Sequence, residues 1–200
     1  MKKIVIGITG ASGTIYALDL LQNLANNSEV ETHLVMSKWA KEKLALESTG
    51  YQLADVKAIA DFVYDERDMG ARIASGSFQH DGMVVVPASM KSIASIAAGL
   101  GDTLIGRAAD VTLKERRPLI VVPRESPFNQ IHLENMLKLS RMGVDIIPPI
   151  PAFYNHPKTI ADLVQHNTMK LLDHLHIPTE IEGRWDGMQA ARRSVQNDNK

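Results

Sequence analysis

Four stretches of the 200-residue chain place hydroxyls, small residues or charges where an anionic ligand would need them. Gly7-Ile8-Thr9-Gly10-Ala11-Ser12-Gly13 follows a branched apolar run and opens a helical pattern, so its backbone N–H groups suit a phosphate. The spacing G-x-x-G-x-x-G is not the dinucleotide G-x-G-x-x-G, and a tight strand-to-helix turn demands the same small residues. Met36-Ser37-Lys38 ends a second apolar run where a dinucleotide fold would carry an acid for the ribose. Ser37 there suits a mononucleotide, or simply caps the next helix. Pro87-Ala88-Ser89-Met90-Lys91-Ser92 repeats the pattern, with two hydroxyls and a string of backbone donors. Pro123-Arg124-Glu125-Ser126-Pro127 brackets an Arg and a Glu with prolines; the Arg can hold a phosphate bidentately and the Glu can relay a proton. Arg107, Asp110 and Lys114 share a helical face, as a solvated ladder or as a cationic wall; for exposed charges the ladder is the commoner arrangement.

These stretches must be held by the elements before and after them. Val- and Ile-rich runs alternate with amphipathic stretches, the pattern of βα units around a parallel sheet buried on both faces. Strands are expected at Ile4–Ile8, Val30–Met36, Arg72–Ala74, Met83–Val86, Leu119–Val122 and Val144–Ile147. Helices are expected around Leu18, Leu21 and Leu24, then at Lys38–Leu46, Val56–Ala60, Lys91–Ala98, Thr103–Glu115, Asn129–Met142 and Thr159–Leu175. Pro148-Pro149-Ile150-Pro151 forces an extended crossing. The fold class is therefore α/β, an open doubly wound, mainly parallel sheet of the Rossmann-like or flavodoxin-like kind, with its ligand beyond the carboxyl ends of the strands. Residues 1–193 are expected to form a single domain, and the polar stretch 194–200 a disordered tail.

Composition narrows the function. Twenty-two Lys and Arg against 23 Asp and Glu give a net charge of −1, which argues against nucleic acid and anionic membranes as partners. No cysteine is present, which removes disulfides, thiolate zinc sites and thiol nucleophiles. His132, His156, His166 and His174 do not cluster at metal-ligand spacing, so no metal is expected; Met136 and Met142 read as core filler. The start resembles a signal segment for only two residues, and no stretch reaches the ~18 apolar residues of a membrane span, so the expected location is the cytoplasm.

Several blocks go beyond spacing. Thr9-Gly10-Ala11-Ser12-Gly13, Val35-Met36-Ser37-Lys38, Pro87-Ala88-Ser89-Met90-Lys91, the run Arg107 to Glu115, Val122-Pro123-Arg124-Glu125, the run Ile131 to Leu137 and Pro151-Ala152-Phe153-Tyr154-Asn155-His156-Pro157 resemble, in order, the flavin prenyltransferases of the UbiX and phenolic (hydroxyarylic) acid decarboxylase family. Val30 to Ala40 and Ser75-Gly76-Ser77-Phe78 look most like the branch tied to hydroxyarylic acid decarboxylation. The resemblance implies a metal-independent enzyme that binds reduced FMN and dimethylallyl phosphate and joins the prenyl group to flavin N5 and C6. It implies FMN contacts at Gly10, Ala11, Ser12, Ser37, Ser89, Met90, Lys91, Ser92 and Arg124. Tyr154 and Lys170 would hold the prenyl phosphate, helped by Lys114 and Arg107. Glu47 and Glu125 would be the acid–base pair, and Trp185 an aromatic beside the isoprenyl chain. It further implies a homo-oligomer, a dodecamer with its site between subunits, and a UbiD-type decarboxylase as functional partner. The sequence departs from the family pattern at Ala88, where many members carry Cys, and at Lys170, where many carry Arg, which keeps the charge but loses the bidentate fork. A phosphopantothenoylcysteine-type decarboxylase would call for a catalytic His after the glycine loop and a Cys, which are absent; a non-catalytic decarboxylase subunit would not require Lys114, Glu125, Tyr154 and Lys170 together.

Overall fold

Alternate branched residues on each strand point to opposite sides of one sheet, and helices cover both sides. The computed structural model describes residues 1–47, 50–181 and 183–188, so the expected tail from Ser194 lies outside the described residues. In chain order the elements are β1 (Lys2–Ile8), α1 (Thr14–Ala25), β2 (Val30–Met36), α2 (Lys38–Leu46), α3 (Leu53–Ile59), β3 (Phe62–Tyr64), a 3-10 turn (Arg72–Ala74), β4 (Gly82–Ala88), α4 (Met90–Ala98), α5 (Leu104–Lys114), β5 (Leu119–Pro123), α6 (Gln130–Arg141), β6 (Asp145–Ile146) and α7 (Ile160–His174). Every strand pair is parallel and the order is β3-β2-β1-β4-β5-β6. The winding reverses between β1 and β4, which makes their carboxyl ends the place for a ligand.

Ile4, Ile6 and Ile8 pack with Leu18, Leu21 and Leu24 of α1 and Leu171 of α7. Val5, Val35 and Val85 pack on the other side with Ile93 of α4 and Leu104 and Ile105 of α5. Because neither side of the inner strands meets water, their sequences read as unbroken apolar runs. Side-chain caps start the helices that follow the strands: Ser37 accepts from the Ala40 N–H at 3.0 Å, Ser89 from Ser92 at 3.2 Å, and Thr103 from Gly106 at 3.2 Å.

One expected strand is absent. Arg72–Ala74 is a single 3-10 turn whose buried Ile73 plugs the core beneath α5, and the edge strand is Phe62–Tyr64 instead. Three residues with Phe62 and Val63 exposed carry no alternation to read.

His80 lies just before β4, 4% exposed, with Nδ1 3.2 Å from the Gly82 carbonyl. Burial, then the nearby Arg117 charge, push its imidazole down to about 4. The unfolded chain takes up a proton near pH 6.5 that the folded chain refuses until about pH 4. The resulting stability is whole above pH 6.5 and is lost as acid carries the protein down toward pH 4. Thermal unfolding should fall over that window, and His80→Gln should flatten the fall; a variant with an unchanged slope would contradict the assignment.

Candidate functional site

The ladder between β1 and β4 runs as far as Gly7 opposite Val85, and beyond it the two strands part. Thr9 bridges the opening: its buried hydroxyl donates to the Pro87 carbonyl at 2.7 Å and accepts from the Ser89 N–H at 2.8 Å. A cleft of about 460 Å³ opens there, a volume suited to a small ligand. It brings together Gly10, Ser37, Ser89, Lys91 and Ser92 from the residues expected to hold a cofactor. Three helix N-termini, those of α2, α4 and α5, meet at this cleft with their caps Ser37, Ser89 and Thr103 on its wall. The N–H groups of Met90 and Lys91 at the start of α4 find no acceptor among the described residues. An anion there would meet free donors, the positive end of the α4 dipole and the Lys91 ammonium.

Sequence reasoning passed over several lining residues: Lys38, Trp39, Glu66, Arg67, Asp102 and Thr103. Thr103 was legible, since a Thr before a helical run is a cap signal. Glu66 was not, because it lies in the irregular segment after β3, where its carboxylate accepts from the Lys38 N–H at 2.9 Å. Gly10 is needed for closeness: a Cβ there would fall 2.4 Å from that of Trp39.

The glycine loop itself is used differently from expectation. Glu47, directly after α2, reaches the start of α1 and accepts from the Gly13 N–H at 3.0 Å, the Thr14 N–H at 2.8 Å and the Thr14 hydroxyl at 2.6 Å. Burial disfavours its charge, but the Thr14, Ser12 and Gly13 hydrogen bonds outweigh this and hold the carboxyl below the usual range. The α1 donors expected to meet a phosphate are thus spent on a carboxylate. Ala11 and Ser12 lie in that loop and do not line the cleft.

Arg124 and Glu125 follow β5, whose end is bonded to that of β4: the Arg124 N–H donates to the Ala88 carbonyl at 3.2 Å. The Arg124 side chain is exposed and has no ion-pair partner among the described residues, and Glu125 is exposed and accepts from the Ser126 N–H at 3.0 Å. Arg107 donates from Nε to the Ala74 carbonyl at 3.1 Å and pairs with Asp110 at 2.7 Å, so one rung of the expected ladder forms, while Lys114 turns to Glu115 instead of Asp110. Lys114 ends α5 just before β5 begins, toward the amino ends of the strands and away from the cleft, paired with Glu115 and packed by Gly76. Eight residues of helix, about 12 Å, separate it from Gly106 on the cleft wall. Tyr154 and Trp185 pack together beside α7, the helix that carries Lys170, and all three lie outside the cleft lining. Tyr154 lies edge-on to Trp185, with ring centres 5.5 Å apart. No group of metal-ligating side chains occurs among the described residues.

The family model described as Flavoprotein matches residues 1–171. The flavin prenyltransferase LpdB of Lactiplantibacillus plantarum is 63% identical over 94% of this chain and all of its own length. The chain belongs to the flavoprotein family, in its UbiX-like flavin prenyltransferase branch. The flavin prenyltransferase UbiX of Escherichia coli is 45% identical, again over 94% of this chain and all of its own length. Two solved structures overlay closely. A dodecameric FMN-dependent UbiX-like decarboxylase from Escherichia coli gives a TM-score of 0.90 at 54% identity, covering 92% of this chain and 100% of that one. AnUbiX, in complex with FMN and dimethylallyl pyrophosphate, gives 0.91 at 46%, covering 94% and 98%.

In this family member, Glu47→Gln should lower stability by about 1–2 kcal/mol, the scale of a lost helix cap, in urea unfolding at neutral pH. A carboxyl held below its usual range contributes stability above the unfolded carboxylate pKa and loses it as pH falls through the folded one, so the gap between wild type and variant should close in acid. A gap of equal size at both pH values would contradict the hydrogen-bonded carboxylate.

Proposed function

We propose that the chain is a flavin prenyltransferase, transferring a dimethylallyl group from dimethylallyl phosphate to N5 and C6 of reduced FMN. The observation that carries this is the cleft at the switch point, where free α4 donors and Lys91 meet hydroxyl caps beside the apolar walls Trp39, Ile96 and Ile105. That donor set fits a phosphorylated, partly flat ligand: α4 and Lys91 take the phosphate, Ser37 and Ser89 face the chain of hydroxyls, and the apolar side receives the ring. Arg124, one residue past β5, supplies a second cation.

When bound, reduced flavin supplies the electron-rich nitrogen and carbon to which the prenyl carbons join. The protein's part is to hold phosphate while the allylic C–O bond breaks and its electron pair leaves with the phosphate. Tyr154 and Lys170 do this as hydroxyl donor and cation, and Trp185 offers a π face beside the electron-poor allyl carbon. Glu125, exposed and lightly bonded, takes the proton lost at ring closure. Glu47, already an acceptor of several hydrogen bonds, instead holds the glycine loop.

Lys114 lies at the far end of its own α5 and Tyr154 on the α7 side, so we infer that one site draws on more than one chain. The exposed apolar residues Ile131, Leu133, Leu137, Ile150, Phe153 and Ile160 offer area for such contacts. A dodecamer, as in the similar Escherichia coli structure, supplies neighbours on several sides. No helix is long and apolar enough to cross a membrane among the described residues. We place the reaction in the cytoplasm, serving a UbiD-type decarboxylase of aromatic or phenolic acids.

Arg124→Ala should weaken FMN binding by ~2 kcal/mol, the scale of a charge-assisted pair, in a fluorescence titration; equal affinity would leave Arg124 as a surface charge. Lys114→Ala and Lys170→Ala should each be inactive. Oligomers reassembled from an equal mixture should regain activity at roughly a quarter of their sites, because one intact site then takes each lysine from a different chain. No recovery would contradict a shared site. A protein-free, anaerobic filtrate of the reaction should activate apo decarboxylase; activation only with the protein present would favour a subunit role.

A further inference from the structure

The hydroxyl of Tyr154 lies 2.8 Å from Nε2 of His166. The two rings meet edge to face, with centres 5.6 Å apart, while Trp185 meets the same tyrosine ring at 5.5 Å. Tyr154 is thus fixed by two neighbours, and one of them also addresses its oxygen. His166 is 8% exposed, whereas Tyr154 is 40% exposed and open to a ligand. Lys170 follows His166 by four residues, one helical turn, so its ammonium rises from the same face of α7.

A phenol has one hydrogen to give, and the state of His166 decides where it goes. If Nε2 is bare, it takes that hydrogen, and an incoming anion meets only the lone pairs of the tyrosine oxygen. If Nε2 carries the hydrogen, it donates to the tyrosine oxygen, and the phenolic O–H is free to donate outward. Nδ1 has no hydrogen-bond partner among the described residues, so nothing in the surroundings holds the ring in the other tautomer. Burial and then the Lys170 charge keep the imidazole below its usual range, hence neutral with a single ring hydrogen.

We propose that His166 is a positioning residue for the prenyl donor: its Nε2–H donates to the Tyr154 oxygen and turns the phenolic O–H toward the donor's phosphate, beside the Lys170 ammonium. This rests on Tyr154 and Lys170 being the phosphate-holding pair. It assigns a role to a residue that touches neither phosphate nor flavin, and it offsets what Lys170 lacks as a single-point cation. A directed hydroxyl supplies the second, angle-dependent contact that one ammonium cannot.

The experiment is calorimetric titration of dimethylallyl phosphate into the protein loaded with oxidised FMN, where binding is read without turnover. Tyr154→Phe should weaken binding roughly tenfold, and His166→Phe, which keeps the ring and loses the donor, by a similar factor. His166→Gln keeps an N–H near the Nε2 position and should stay within about twofold of wild type, and in the Tyr154→Phe background His166→Phe should cost nothing further. Additive losses, or a Gln variant as weak as the Phe variant, would make His166 a packing residue and overturn the proposal. A Tyr154→Phe effect with none from His166→Phe would also overturn it while leaving Tyr154 as a phosphate holder. No effect from Tyr154→Phe would instead remove the underlying reading. Thermal unfolding checks that each variant folds. Should His166→Phe not fold, His166→Asn replaces it, since its N–H lies near the Nδ1 position and it should bind as weakly as a variant with no donor.

Discussion

A single buried threonine at the switch point, Thr9, ties the ends of β1 and β4 together. β4 carries a proline where the β1–β4 ladder would continue, and a proline has no N–H to give. Thr9 takes over with two groups: its N–H and its hydroxyl both donate to the Pro87 carbonyl, and the hydroxyl accepts from the Ser89 N–H, so the two strands part at a fixed distance rather than fraying. The glycine loop leaves β1 directly after Thr9, and Ser89, whose N–H Thr9 accepts, is the cap from which α4 starts. Both walls of the cleft are therefore referred to one side chain, and a bonded hydroxyl in a buried place is costly to replace by an apolar group.

The helix starts around that point divide the electrostatic work. A carboxylate, Glu47, already occupies the first of them, satisfying the N–H groups of Gly13 and Thr14 and locking the loop. The cleft is left with the start of α4, where two N–H groups remain unmatched among the described residues, and with Lys91 on its wall. The size of the loop matters too: Gly10 lets Trp39 close in, which gives the cleft an apolar wall beside the loop. Tyr154 and Lys170 around α7 and Lys114 on the far end of α5 lie outside the cleft, and the proposal of a site shared between chains rests on that separation.

Strands buried on both sides advertise themselves, and β2, at Val30–Met36, is legible to the residue. The edge strand β3 is not, because Phe62 and Val63 are exposed and three residues set no period, while the apolar Ile73 nearby suggests a strand where the backbone makes one turn. Ser37 and Ser89 were legible as hydroxyls after strands, since the same residues that cap a helix line a cleft at its start. Thr9 was hidden by the glycines around it: nothing in a sequence tells a loop threonine from one that bridges two strands. Glu66 and Asp102 come from irregular segments whose approach to the cleft only the tertiary fold determines. Tyr154, Lys170 and Trp185 were reachable through family resemblance alone, and His166, set aside for lack of metal-ligand spacing, becomes meaningful only once its ring is seen against the Tyr154 hydroxyl.

The most direct test is the mass of the flavin itself. After anaerobic incubation of the protein with reduced FMN and dimethylallyl phosphate, the extracted flavin should be heavier by one C5 unit, with inorganic phosphate released in equal amount. Flavin recovered unchanged, from protein shown to have bound both compounds, would contradict the assignment as a prenyltransferase.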